Sequence, residues 1–158
     1  MSVQRAEEVL TEPTFPKILP DEIAVRSVLP ALRAAVAREL TQSFHLTQYE
    51  IATKLGLTQA AINHYLKEKR GSVAGFVPRN PKVKQMCSEI ATILAKESFD
   101  QREVASKFDS TLRYVKGHRL LCPVHKLFEP DLSVPECHIC DAPELPVETG
   151  ERRGDYGL

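Results

Sequence analysis

Three cysteines and a histidine lie near the C-terminal end of the chain at spacings that suit a metal ion. Two residues separate Cys122 from His125, and after eleven more the pair Cys137 and Cys140 has the same spacing. A two-residue gap lets both side chains of a pair face one ion, and Zn²⁺ prefers thiolate and imidazole ligands in a tetrahedral arrangement. The segment has no other evident core, so metal binding would supply much of its folding energy. These residues predict a zinc site.

The cysteines also allow two other interpretations. The chain has four cysteines in all, the number that holds an iron–sulfur cluster, and Cys87 would then replace His125 as the fourth ligand. Cys87 lies on the apolar face of a predicted helix, where a buried structural thiol is the ordinary finding. Thiols that only pack or undergo oxidation are the third interpretation, although the strand–helix–strand context of a Cys-x-x-Cys redox site is missing. All three interpretations stay open.

A second group of side chains is suited to hydrogen bonding with nucleic-acid bases. It lies in the segment TQYEIATKLGLTQAAINHY, residues 47–65, and in the basic residues that follow. Gln and Asn can bind the edge of adenine through two hydrogen bonds, and small neighbours let a helix lie deep in the major groove. Basic residues at the end of such a helix would contact phosphates. For His64, base contact and simple exposure to solvent are equally open. The candidate contacts are Thr58, Gln59, Ala60, Asn63, His64, Lys67, Lys69 and Arg70.

Two short helices, over about residues 48–55 and 58–67, would position these side chains. Gly56 lies between them and can adopt the left-handed backbone conformation that a tight turn requires. Ala52 is small at the point where the two helices approach most closely, and Thr58 caps the second helix. Together these positions predict a helix-turn-helix. The residues expected to pack inward are Ile51, Leu55, Leu57, Ile62 and Tyr65.

Three further amphipathic helices are expected. In DEIAVRSVLPALRAAVAREL, Pro30 either kinks the helix or opens a second one at its first turn. Asn80 caps a helix that begins at Pro81, and a capping-box pattern at Asp100 opens a last helix that ends near Gly117. Almost no segment has the pattern of a strand, so we predict an all-α fold with a small irregular C-terminal module. The inward positions of the first helix are Val25, Val28, Leu29, Leu32, Val36 and Leu40.

The composition is that of a globular protein, with 42% hydrophobic and 27% charged residues among 158. Acidic and basic residues both number 21, so the net charge gives no signal of a nucleic-acid partner. The charge is uneven, however, because six basic residues and one acid occupy residues 67–84. We expect a cytoplasmic protein with no membrane segment. With no phosphate-binding glycine loop and no nucleophile–base pair, we expect no enzyme activity.

We divide the chain into five segments by composition and periodicity. Prolines and charges fill the first segment, and a polar stretch forms the last. The predicted segments are a flexible lead-in over residues 1–19, a helix-turn-helix domain over 20–72, a helical linker or dimerisation region over 80–118, a metal-binding module over 119–145 and a disordered tail over 146–158.

The segment from about Ile18 to Gly71 resembles the helix-turn-helix of the lambda-repressor-like (Xre) superfamily. More narrowly, "ILPDEIAVRSVLPALRAAVARELTQSFHLTQYEIATKLGLTQAAINHYLKEKRG" resembles a group of archaeal predicted transcriptional regulators. The resemblance covers about a third of the chain strongly and the cysteine-containing end only loosely. A further cysteine pair would be expected in "STLRYVKGHRLLC" and is absent, which leaves the fourth metal ligand open. The resemblance implies a lambda-repressor-like bundle, a dimer on a two-fold operator, and DNA contacts at Gln48, Thr58, Gln59, Asn63 and Lys67.

Two functions fit these features. The first is a dimeric, sequence-specific DNA-binding transcriptional regulator with a C-terminal metal or redox-sensing site. The alternative is a metal-stabilised protein-interaction adaptor, in which the helical pair only packs; the zero net charge and the acidic residues after Glu129 favour it. Salt dependence separates them, since a DNA binder loses affinity steeply as salt rises.

Overall fold

The computed structural model describes residues 17–67 and 73–141, and within them it contains seven α-helices and no strand. The predicted all-α fold is confirmed for this part of the chain. The predicted tail and most of the predicted lead-in lie outside it. No helix in the described part is both long enough and apolar enough to cross a lipid bilayer. The helices are α1 (Pro20–Ile23), α2 (Leu29–Phe44), α3 (Gln48–Leu55), α4 (Gln59–Lys67), α5 (Pro81–Ala95), α6 (Gln101–Gly117) and α7 (Cys122–Phe128).

Pro30 lies in the first turn of α2, directly after a wide helical turn over Ala24–Val28. In that turn the Leu29 backbone N–H donates to the carbonyl of Ala24, five residues earlier, which is the π-helical pattern. Proline has no N–H to donate to the carbonyl four residues before it, so the α-helical pattern is already interrupted at this point. Ile23, Val28 and Leu29 all keep right-handed helical backbone angles, so the wide turn accommodates Pro30 within a continuous helical run and no separate helix starts there.

The helix α2 forms the centre of the fold and contacts α3, α4 and α5. The predicted inward positions Val28, Leu32, Val36 and Leu40 are fully buried. Val25 is 59% exposed, so the prediction that it faces inward is wrong. The wide turn explains why Val25 faces outward. A pattern based on 3.6 residues per turn does not hold across a turn that contains more residues.

Two predicted helix starts are confirmed by their caps. The Asn80 side chain accepts hydrogen bonds from the Lys82 and Val83 N–H groups, at 3.0 and 3.2 Å, and α5 begins at Pro81. The Asp100 side chain accepts from the Arg102 N–H at 2.8 Å, and α6 begins at the next residue. Each cap satisfies donors that have no partner within the helix.

The region after α6 is more regular than its sequence suggested. The helix α6 ends at Gly117, as predicted, but the prediction that only loops follow it is wrong, because α7 spans Cys122–Phe128. Leu121 and Val124 are buried to 1% and 0% exposure and attach α7 to the common core. A helix of seven residues shows too little periodicity to be recognised alone, and packing supplies most of its stability.

Polar contacts join this C-terminal region to the start of the described chain. The Lys116 ammonium lies 2.5 Å from the Asp21 carboxylate, and the Ile18 N–H donates to Glu129 Oε1 at 2.7 Å. The Arg119 guanidinium donates to the carbonyls of Val134 and Cys137 and so holds the following loop against α6. α1 also contacts α7, so the described parts of the predicted segments 20–72 and 119–145 are packed together.

The turn between α3 and α4 depends on the left-handed conformation of Gly56, at φ 65° and ψ 37°. The Gly56 N–H donates to the Thr53 carbonyl at 3.4 Å, and the Leu57 N–H donates to the Ala52 carbonyl at 2.9 Å. This pair of bonds is the Schellman motif, which ends a helix and turns the chain sharply. The predicted role of Gly56 is confirmed.

Replacing Gly56 with alanine is expected to destabilise the protein by about 1–2 kcal/mol, because a Cβ disfavours the left-handed conformation. A Cβ at this position meets no atom within 4 Å, so the cost is conformational rather than steric. Gly117→Ala is the matched control: its Cβ is equally free and its φ is not positive. That variant should leave the free energy of unfolding unchanged or raise it by up to ~1 kcal/mol. Urea unfolding measures both, and equal changes would contradict the analysis.

Candidate nucleic-acid interface and cysteine cluster

The inner faces of α3 and α4 are anchored in the core. Ile51 and Ile62 are fully buried, and Ala52 is 5% exposed, as their positions in the sequence predicted. The other predicted inward residues, Leu55, Leu57 and Tyr65, are half-buried against the same core. From α2, the Arg38 guanidinium donates to the Tyr65 carbonyl at 3.0 Å. Both helices are therefore held at a fixed angle.

The outer face of α4 carries the predicted contact residues. Thr58, Gln59, Ala60, His64 and Lys67 are exposed. Asn63 is half-buried, and like Gln59 it has a side chain that forms no hydrogen bond with the other described residues. The amides of these two residues are available to an external partner. Lys69 and Arg70 lie outside the described residues.

Thr47 caps α3 and Thr58 caps α4. The Thr58 hydroxyl accepts from the Ala61 N–H at 3.1 Å, as predicted. At the start of α3, the Thr47 hydroxyl accepts from the Glu50 N–H at 3.3 Å, and the Glu50 carboxylate accepts from the Thr47 N–H at 2.7 Å. Hydrogen bonds from the Thr47 N–H and hydroxyl lower the pKa of Glu50. An ionised carboxylate therefore occupies the start of α3, beside the half-buried Gln48.

The described basic residues of the stretch 67–84 are exposed to solvent. They are Lys67, Arg79, Lys82 and Lys84, and Val77–Arg79 forms a short 3₁₀ turn before α5. None of these four cations forms an ion pair with an acid among the described residues. Their charge is therefore not neutralised within the described part of the chain.

Comparisons of the chain with known protein families, with curated proteins and with solved structures find no match. The resemblance of residues 18–71 to the Xre superfamily therefore stays a prediction from the sequence. The function has to be argued from the geometry of the chain's own residues.

The structure brings three of the predicted metal ligands into one region. Cys122 is buried at the start of α7, and Cys137 and Cys140 are half-buried in the loop after it. Burial, followed by the neighbouring thiols of Cys122 and Cys137, raises the pKa of Cys140 to about 11. In the absence of a bound cation, this thiol is therefore neutral at ordinary pH.

His125, the predicted fourth zinc ligand, is buried on α7 at 2% exposure. Its Nε2 atom forms no hydrogen bond with the described residues and lies 3.4 Å from Glu129 Oε2, one helical turn further on. The histidine is thus paired in space with a carboxylate. Cys122 and His125 both lie on α7.

The described residues do not fit a metal ion in their present arrangement. Residues 17–67 and 73–141 contain no group of three or more Cys, His, Asp or Glu side chains placed to hold one. Cys87, the ligand required for an iron–sulfur cluster, lies in the hydrophobic core at 3% exposure. Burial and then the charge of Glu39 raise the pKa of Cys87 to about 12. The expectation that this segment has no core is wrong, because Leu121 and Val124 belong to the common hydrophobic core.

Alkylation with N-ethylmaleimide should distinguish accessible thiols from buried ones, because the thiolate is the reactive form and burial blocks access. We expect Cys137 and Cys140 to be labelled in the native protein and Cys87 to be labelled only after unfolding. The labelling rate of Cys140 should rise about tenfold per pH unit from pH 7 to 10, since its thiolate fraction grows in that proportion below a pKa of about 11. Peptide mass spectrometry measures each site, with urea-unfolded protein as the fully labelled control. Native labelling of Cys87 at the rate of Cys140 would contradict the assigned burial.

Proposed function

We propose that this protein is a DNA-binding transcriptional regulator whose helix α4 enters the major groove. One observation carries the proposal: α4 is anchored by a fully buried Ile62, while its outer face presents amides that have no hydrogen-bond partner among the described residues. Side-chain amides with free donors and acceptors are the groups that read base edges.

The outer face of α4 has an order that suits a groove. Gln59, Asn63 and Lys67 follow one another at intervals of four residues, so they lie along one side of the helix. The two amides would contact base edges, and Lys67 at the end of α4 would contact the phosphate backbone. Ala60 has a small side chain, which allows the helix to approach the groove closely. His64 is exposed beside this line.

The fixed geometry of α3 and α4 supports the same function. The Schellman turn at Gly56 and the bond from Arg38 to Tyr65 both restrict the angle of α4. A helix that is held in place before binding loses little conformational freedom when it enters the groove. Such a preformed unit suits recognition of one DNA geometry.

We place the dimer contact of the regulator near α1 and α7. These two helices touch, and exposed apolar side chains lie on or beside them. The predicted inward face of α2 packs in the core of its own chain, so it is not free to pair with a second copy. The exposed residues are Leu19, Val25, Leu127 and Phe128, at 60%, 59%, 65% and 44% exposure.

Selection from a pool of random duplexes, followed by fluorescence anisotropy, tests the proposal. We expect the wild type to select an inverted repeat, as a dimer requires. Gln59→Ala should weaken binding to that site by about 1–3 kcal/mol per half-site, roughly five- to 150-fold, with little effect on random DNA. Lys67→Gln should weaken both and lower the salt slope by about 1 per protomer.

Gln42→Ala is the matched control, since Gln42 is an exposed amide on α2, which packs behind α4. Its selected sequence and affinity should equal those of the wild type. An unchanged sequence preference in Gln59→Ala would overturn base recognition by α4. Absence of DNA binding even at low salt would overturn the regulator and favour the adaptor.

Zinc binding remains a separate proposal that the sequence spacing supports and the described arrangement does not. If zinc binds Cys122, His125, Cys137 and Cys140, one equivalent should slow alkylation of Cys137 and Cys140 in the native protein. Protein purified without oxygen should then be colourless, and elemental analysis should find one zinc per chain. Brown protein containing iron would favour the cluster, and protein without metal would overturn both.

A further inference from the structure

Three helices, α2, α3 and α6, border a cleft of about 330 Å³. One face of α6 lines it with Val104, Phe108 and Leu112, and the other helices add Leu29 and Leu55. All of these except Val104 are only half-buried, so their apolar surface is open to solvent inside the cleft. The volume is at the lower end of the range usual for small-molecule sites, and the lining is of the usual kind.

Two cations, Arg33 and Lys54, are among the residues that line this cleft. Arg33 lies one turn after Leu29 on the same face of α2, is half-buried, and has no hydrogen bond or ion pair with another described residue. Lys54, at the end of α3, donates to the Lys96 carbonyl at 2.8 Å and lies 5.0 Å from the centre of the Phe99 ring. Lys54 is thus fixed in position, and the five donors of the Arg33 guanidinium are available.

The acids near the cleft do not cancel this charge. Asp109, the acid in the lining, pairs with Arg113 at 2.9 Å on its own helix. Glu50, one turn before Lys54, is ionised, and its attraction to Lys54 is a minor cause of its lowered pKa after the hydrogen bonds from Thr47. The cations Arg33, Lys54 and Arg113 outnumber the carboxylates of Asp109 and Glu50, so the charge around the cleft is positive.

We propose that this cleft binds a small organic molecule with an apolar body and one carboxylate. The carboxylate pairs with the Arg33 guanidinium, whose fork-like donors match its two oxygens, and Lys54 adds a second positive charge. The apolar body covers Phe108 and Leu112, whose exposed surface it removes from water. Charge and volume together favour this occupant over a neutral or a larger one.

The position of the cleft gives the ligand a route to the DNA-binding helix. Lys54 and Leu55 end α3, and Gly56 follows directly with the turn that sets the angle of α4. A ligand held between α6 and these residues contacts the segment that positions Gln59. This regulatory part rests on the proposed function, whereas the binding of a carboxylate does not.

Titration of the ¹⁵N-labelled full chain followed by NMR tests the binding. The probes are octanoate and phenylacetate, with octanamide and phenylacetamide as neutral counterparts of the same shape. We expect saturable shifts of backbone signals in α2, the end of α3 and α6 with the carboxylates, and at least tenfold weaker binding of the amides. Arg33→Gln should weaken carboxylate binding at least tenfold while the remaining spectrum shows an intact fold.

Arg26→Gln is the matched control, because Arg26 is exposed on the preceding turn of the same helical segment and does not line the cleft. It should bind the carboxylates as the wild type does. Absence of saturable shifts with both carboxylates, equal binding of the amides, or unchanged binding in Arg33→Gln would each overturn the proposal. The NMR assay contains no DNA, so its outcome is independent of whether the regulator assignment holds.

Discussion

Burial of one face of α2 is the constraint on which the other parts of the fold depend. Leu32, Val36 and Leu40 are fully buried, and burying a side chain of this size stabilises a protein by about 1.5–3 kcal/mol. The same helix contacts α3, α4 and α5, so it fixes the pair of short helices and the later helices on one core. Because the inner side of α4 is used in this packing, its polar side is left facing solvent.

The C-terminal region is held by protein contacts, which changes how its cysteines are understood. From sequence spacing alone, a metal ion was the evident source of stability for this region. Leu121 and Val124 bury an apolar surface there, and Lys116 and Arg119 tie the region to α1 and to its own loop. These contacts supply stability that does not depend on a metal ion.

Local signals in the sequence were reliable where one residue controls the backbone. Gly56 adopts the predicted left-handed turn, and Asn80 and Asp100 cap the predicted helices. Periodicity was less reliable, since a single wide turn before Pro30 displaced Val25 from the inward set. The helix α7 was missed because seven residues are too few for a pattern to emerge.

The sequence by itself determined the all-helical class of the described chain, most helix starts, and the polar character of the outer face of α4. These properties depend on backbone preferences and on residues at most one or two turns apart, which the order of the residues displays directly. Only the tertiary structure decided that Cys87 is buried in the core and that His125 faces Glu129. It also decided that Arg33 and Lys54 line one apolar cleft. Each of these depends on which helices pack together, because side chains distant in the chain become neighbours only when a shared core removes apolar surface from water.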